Sequence, residues 1–141
     1  MRLYLDSNVF IAFVREEIDR AFNLRYLESE RFFSFCETTR AELVISVHFL
    51  KEVKQVIGVE EAAVREFFRE KNVLVLFAGM PASAAIDQVV QKTGIHYADA
   101  VHVACAVETG CDYIITFNVK DFRKANRIIS CASPSTLSRI V

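Results

Sequence analysis

The sequence predicts one α/β domain of three layers, with a central parallel sheet of four or five strands between helices. Three observations predict it. Short apolar, β-branched runs alternate with longer stretches of helical periodicity, the order that gives parallel strands joined by crossover helices. Glycine and proline number only four and two in 141 residues, which suits regular elements on short connections rather than a turn-rich all-β protein. The chain is 52% hydrophobic and 25% charged, so one sizeable core is within reach of one domain spanning residues 1–141. No internal repeat, low-complexity segment or long linker divides it.

Arg2–Leu5 reads as a buried strand, followed by a helix over Asn8–Arg15. Ile18–Glu28 and Ser29–Thr39 read as two more helices. Phe22 and Tyr26 recur at helical spacing in the first, and Phe32, Phe33, Phe35 and Cys36 share a face in the second. Leu43–Ser46 is a β-branched run and the second strand. Ser46 is placed to cap the next helix, whose apolar stripe is Phe49, Leu50, Val53, Val56 and Ile57 and whose stop is Gly58. Glu60–Lys71 is a further amphipathic helix with Ala63, Val64, Phe67 and Phe68 facing inward. Val73–Phe77 is apolar throughout, as expected of a strand covered on both faces. After Met80-Pro81 comes a helix over Ala82–Lys92, ended by Thr93-Gly94. Ala98–Glu108 is apolar except at Asp99, His102 and Glu108, which predicts a buried helix ended by Thr109-Gly110. Asp112–Phe117 is the fourth strand and Arg127–Cys131 a candidate fifth.

The formal net charge of −1 supplies no global basic field, so a nucleic-acid partner would need a local patch. Cys36, Cys105, Cys111 and Cys131 contain no Cys-x-x-Cys pair and no zinc-like spacing, and read as small hydrophobes in a reducing compartment. No stretch reaches the ~18 apolar residues of a membrane span. The chain opens directly in a strand with no signal-peptide pattern. These features predict a cytoplasmic protein.

Carboxylates follow the strands. Asp6 ends the first strand, where open α/β sheets place their ligands; a lone aspartate there also serves as a helix cap. Asn8 is a further polar group at that strand end. Glu42 precedes the second strand and Glu52 follows it within the next helix, which puts Glu52 on the edge shared with Asp6 and Glu42 at the opposite edge; pairing with Lys51 or Lys54 is the alternative for Glu52. Asp99 lies in the first turn of an otherwise apolar helix, where a charge is costly without a partner, although it too could be a cap. Asp121 follows the fourth strand, with Thr116 and Asn118 adding a hydroxyl and an amide. Four acids converging on one edge repel unless a divalent cation neutralises them. All-oxygen ligation suits Mg2+ or Mn2+ rather than zinc, and such ions cleave phosphodiesters through an activated water.

These stretches resemble the PIN domain, the nuclease fold of VapC-like toxins and several RNA-processing enzymes. The resemblance is carried by Leu3-Tyr4-Leu5-Asp6-Ser7-Asn8-Val9-Phe10, by Leu43-Val44-Ile45-Ser46 with Glu52 after it, by Tyr97-Ala98-Asp99-Ala100-Val101-His102-Val103-Ala104, and by the run from Asp112 to Phe122. It implies a metal-dependent endoribonuclease with Asp6, Glu52, Asp99 and Asp121 as the catalytic, metal-holding acids. Thr116 and Asn118 would line the site, and Ser7 and Asn8 would support it. It implies RNA as substrate, a homodimer, and an antitoxin protein as partner if the chain is a toxin. Many members carry an aspartate where Asn118 stands, which bears on whether one ion or two are held.

His102 follows Asp99 on one helical face; it reads either as a ligand or proton relay, or as a core histidine bonded to backbone. His48 and His96 have no partner at ligand spacing. Lys120, Arg123, Lys124 and Arg127 form a basic segment beside Asp121 that could meet RNA phosphates or simply be solvated. Most of the twelve phenylalanines sit at core spacing, with Phe10, Phe13 and the Phe32–Phe35 cluster also available for a dimer face. The rivals to a ribonuclease are an inactive RNA- or protein-binding module of the same fold, another Mg2+/Mn2+ phosphohydrolase acting on DNA or a small phosphoester, and a two-layer regulatory domain whose acids are only caps.

Overall fold

Five parallel strands in the order β3-β2-β1-β4-β5 form one sheet. The computed structural model describes residues 1–140. The strands are β1 (Arg2–Leu5), β2 (Glu42–Ser46), β3 (Leu74–Ala78), β4 (Tyr113–Ile115) and β5 (Ser130–Ala132). Between them run α1 (Ser7–Arg15), α2 (Arg25–Thr39), α3 (Val47–Ile57), α4 (Glu61–Glu70), α5 (Ser83–Thr93), α6 (Tyr97–Glu108) and the short α7 (Val119–Phe122), with α8 (Pro134–Ile140) at the end. The sheet has helices on both faces, as the sequence predicts.

Strand alternation sorts the core into two layers. Leu3, Leu5, Leu43, Ile45 and Ile115 face one way and pack with Val9, Phe10, Phe32, Phe33, Phe49, Val64 and Phe68. Tyr4, Val44 and Ile114 face the other and pack with Ile86, Val101, Ala104 and Phe122. The first layer is rich in edge-to-face aromatic contacts: the Phe67 and Phe68 rings lie 5.0 Å apart, Phe10 and Phe67 5.2 Å, and Phe33 and Phe68 5.5 Å. Phe10, Phe32 and Phe33 are buried, so they build the core and not a dimer face.

Local signals set the helix ends. Ser46 Oγ accepts the Phe49 N–H at 3.0 Å, which caps α3, and Gly58 ends it at φ 67°. One expected helix is corrected. Ile18–Leu24 is a turn closed by an antiparallel bridge between its end residues, and α2 starts at Arg25 and runs unbroken to Thr39. Asp19 Oδ1 accepts the N–H groups of Ala21 and Asn23, both at 2.9 Å, and this local bonding outcompetes the helical ladder. Phe22 is then left 86% exposed, not on an apolar face.

Further details emerge. The third strand lies at the edge of the sheet with Leu74 exposed, and it is covered on both faces as expected, with Val75 and Phe77 packed into one core layer and Leu76 and Ala78 into the other. Val56 and Ala63 also point outward, because α3 and α4 each bury a narrower stripe than the periodicity suggests. α8 carries no strong signal, being rich in serine and threonine, yet Leu137 is fully buried. The four cysteines are all free. Burial pushes the Cys36 and Cys105 thiols up to about 12, which makes them inert packing groups.

Phe68→Ala should cost about 3–5 kcal/mol, because its ring is enclosed by other rings that cannot collapse into the space. Urea unfolding followed by far-UV circular dichroism measures this.

Candidate functional site

In the sheet, β1 and β4 are neighbours, although the chain leaves β1 towards β2 and β3 before returning to β4. That reversal is a topological switch point, and a crevice opens beyond the carboxyl ends of the two strands. Asp6 follows β1 and Thr116 follows β4. Thr116 Oγ1 donates to Asp6 Oδ2 at 2.7 Å, and both residues are buried. Asp6 occupies the N-cap position of α1, yet its side chain makes no capping bond. Its carboxylate belongs to the crevice, contrary to the cap reading.

Asn8 ties the same two strand ends together. Its Nδ2 donates to Thr116 Oγ1 at 3.2 Å, and its Oδ1 accepts the Phe117 N–H at 3.3 Å. Asn118 donates its backbone N–H to Thr116 Oγ1 at 2.9 Å and its side-chain amide to Asp121 Oδ2 at 2.8 Å. The neutral Asn118 therefore orients the Asp121 carboxylate.

Glu52 enters from α3. Ser7 Oγ donates to Glu52 Oε1 at 2.8 Å and lies 3.5 Å from Asp6 Oδ1. Glu42 is instead the first residue of β2, paired with Arg2 at 2.6 Å at the opposite edge of the sheet. The geometry brings Glu52 into the crevice and leaves Glu42 out.

Asp99, in the first turn of α6, completes the acidic group. Burial and then the charge of Asp6, with Asp121 and Glu52 behind it, raise its pKa above the usual aspartate value against the pull of His102. Asp99 thus feels the charges of the other three expected acids.

His102 is the residue the sequence underrated. It is 1% exposed, and its bonds go to side chains rather than to backbone. Its Nε2 sits 2.8 Å from Glu52 Oε1 and 3.5 Å from Asp6 Oδ1, while Nδ1 meets the Tyr4 hydroxyl at 2.5 Å. The Tyr4 hydroxyl continues to Ser46 Oγ at 2.7 Å. Burial alone would lower His102, but the Glu52 hydrogen bond and the charges of Asp6, Glu52 and Asp99 hold it above the ordinary imidazole value. Burial likewise pushes Glu52 up, and the His102 bond and charge, with Ser7 and His48, bring it below the usual carboxylate range. Tyr4 is held well above its ordinary value, chiefly by burial, and so stays a neutral hydroxyl.

His48 stands beside this group, with Nε2 3.5 Å from Glu52 Oε2 and its ring centroid 4.6 Å from that of His102. The signal for it was the four-residue step from His48 to Glu52 on one helix face. Tyr4 gave none, since a strand tyrosine reads as core. His96 is exposed at the N-cap of α6 and takes no part. Lys120, Arg123, Lys124 and Arg127 are all exposed on the segment that carries Asp121.

The donor set fits a hard divalent ion. Asp99 lies where burial and then the charges of Asp6, Asp121 and Glu52 raise its pKa, and carboxylate oxygens in such surroundings are the donors a hard divalent ion takes.

Comparison with known proteins agrees with this architecture. A family model described as "PIN domain" matches residues 3–128. No curated protein matches the chain. Among solved structures, the crystal structure of the Mycobacterium tuberculosis toxin VapC20, described as a sarcin-ricin-loop-cleaving toxin, is similar in fold. The TM-score is 0.51 at 16% identity, covering 79% of this chain and 86% of that one.

The raised pKa of Asp99 has a consequence for stability. The folded state holds the Asp99 proton to higher pH than the unfolded chain does. The contribution of Asp99 to stability without divalent ions therefore falls as pH rises from the ordinary aspartate range through the raised value, and stays lower above it. Asp99→Asn should flatten that fall and raise the unfolding midpoint at neutral pH. Thermal unfolding across a pH series, in chelator, reads both.

Proposed function

The chain belongs to the PIN domain family, and from that premise we propose that it is a Mg2+- or Mn2+-dependent endoribonuclease hydrolysing RNA phosphodiester bonds. The observation that supports the proposal is the Asp6 carboxylate held by Thr116 at the switch point, with Glu52 bonded to the neighbouring Ser7 and with Asp99 under the charges of Asp6, Asp121 and Glu52. When bound, the divalent ion supplies a water of lowered pKa and charge stabilisation at the phosphate.

The remaining work falls to the chain's own groups. Asp6, Glu52, Asp99 and Asp121 would hold the ion. Thr116, itself held by Asn8, fixes the Asp6 carboxylate, Ser7 fixes that of Glu52, and Asn118 aims that of Asp121. Lys120, Arg123, Lys124 and Arg127 contact the RNA backbone beside the cut. We read the protein as a cytoplasmic homodimer, and as the toxin of a toxin–antitoxin pair held by an antitoxin peptide. Among the described residues, no helix is long and apolar enough to cross a membrane.

Asp99→Asn and Glu52→Gln should each reduce Mn2+-stimulated cleavage of single-stranded RNA by at least about 100-fold, roughly 3 kcal/mol of barrier. Glu42→Gln should cleave as the parent does. Full activity in Asp99→Asn would overturn the site, and loss only in Glu42→Gln would exchange the two glutamates. Cleavage of DNA but not RNA would point to the other phosphohydrolase class, and RNA binding without any cleavage to an inactive module.

If the basic segment meets phosphates, each alanine substitution among Lys120, Arg123, Lys124 and Arg127 should lower the salt slope of RNA binding by about 0.7. Fluorescence anisotropy at several salt concentrations provides that slope.

A further inference from the structure

We propose that His48, Glu52 and His102 form a second cation site, of two imidazole nitrogens and one carboxylate, that takes a transition ion of the Zn2+ class. One donor atom from each residue lies within 4.8 Å of the other two. His102 Nε2 is 2.8 Å from Glu52 Oε1, and His48 Nε2 is 3.5 Å from Glu52 Oε2. Tetrahedral ligands at bond lengths of about 2.0–2.1 Å stand roughly 3.4 Å apart, so the His48 spacing already suits ligands of one ion, and the His102 spacing opens by about 0.6 Å when the ion takes the place of the hydrogen.

Two observations separate this site from ordinary core packing. His48 Nε2 is buried and lacks a hydrogen-bond partner among the described residues, which is the state of a ligand nitrogen whose ion is still to come. The other two donors already have outer supports. His102 Nδ1 is held by the Tyr4 hydroxyl, itself held by Ser46, and Glu52 Oε1 is held by Ser7. Such second contacts fix ring orientation and raise ligand affinity.

Donor chemistry names the ion. Imidazole suits zinc and its neighbours, whereas magnesium takes oxygen. The ion replaces the hydrogen between His102 Nε2 and Glu52 Oε1, which leaves to solvent. His48 and Glu52 are only half-buried, so the ion enters from the α3 side. Glu52 serves both this site and the oxygen site of the proposed nuclease. The inference rests on that proposal only for this sharing, which makes Zn2+ a competitor of Mn2+.

The test is isothermal titration of the whole chain with Zn2+ alone and with Mn2+ alone, joined to zinc-edge X-ray absorption. We expect one Zn2+ with imidazole scattering. His48→Ala and His48→Gln should each weaken Zn2+ by about tenfold or more. Asp99→Asn should weaken Mn2+ while leaving Zn2+ in place. Zn2+ binding without imidazole scattering, or unchanged in both His48 variants, overturns the site. Zn2+ binding by the histidines in a protein that cleaves no RNA upholds this site and removes the nuclease reading alone. Mn2+-dependent cleavage without any Zn2+ binding does the reverse.

Discussion

The hydrogen bond from Thr116 to Asp6 closes the gap between two strands that the chain visits far apart in time. β1 and β4 pair in parallel from Leu3 opposite Tyr113 to Leu5 opposite Ile115, and the next residue on each strand is the one that bonds. Asp6 N–H still reaches Ile115 O, and Thr116 N–H reaches Ala132 O, both at 3.0 Å, so sheet bonding extends under the crevice floor. The side chains placed there inherit the rigidity of the sheet. Asn8 and Asn118 converge on the same Thr116 hydroxyl, which makes that hydroxyl the common anchor of both strand ends. Without it, Asp6 would revert to what its position suggests, a cap on α1.

The acidic group is a cost that the rest of the fold must offset. Two like charges about 4 Å apart at an effective dielectric of about 20 repel by roughly 4 kcal/mol, against a typical domain stability of about 5–15 kcal/mol. Four carboxylates could not be kept together by a domain of this size without internal relief. His102 provides part of it, bonded to Glu52 and close to Asp6. The opposed pKa shifts of Asp99 and Glu52 express the division: Glu52 has a hydrogen bond from His102 and two further partners, while Asp99 has only the charge of His102 to set against burial and its acidic neighbours. The aromatic layer around Phe10, Phe33, Phe67 and Phe68, on one face of the sheet, supplies the apolar burial that lets this strain persist.

What the sequence made legible was whatever local chemistry decides. Ser46 and Gly58 bound α3 because capping and a left-handed stop act within a few residues. The strands β1, β2 and β4 were legible because buried parallel strands are apolar end to end. Asp6, Glu52, Asp99 and Asp121 were legible as a group because each lies at a strand end or in the helix after it. Where a local competitor acted, the periodicity misled: Asp19 turned Ile18–Leu24 into a bridge although Phe22 and Tyr26 keep helical spacing. The edge position of β3 was hidden because strand order is a property of the whole sheet. The roles of His102, Tyr4 and His48 were hidden for a related reason. Their contacts join α6, β1 and α3, separated by up to 98 residues between Tyr4 and His102, and no spacing rule within one element reports them.

The electrostatics of the mouth follow from the same geometry. A net charge of −1 gives a polyanion no long-range attraction, and an acidic crevice repels it outright. Attraction must then come from charges within about 8 Å of the bound strand, the screening length at physiological salt. Lys120, Arg123, Lys124 and Arg127, exposed on the segment that carries Asp121, are the charges the proposed ribonuclease would draw on. Arg25 adds to them from α2, its guanidinium 5.1 Å above the ring of Phe117, the residue directly after Thr116. On the proposed function, these charges would be what holds an RNA backbone beside the acids, while the crevice itself stays negative.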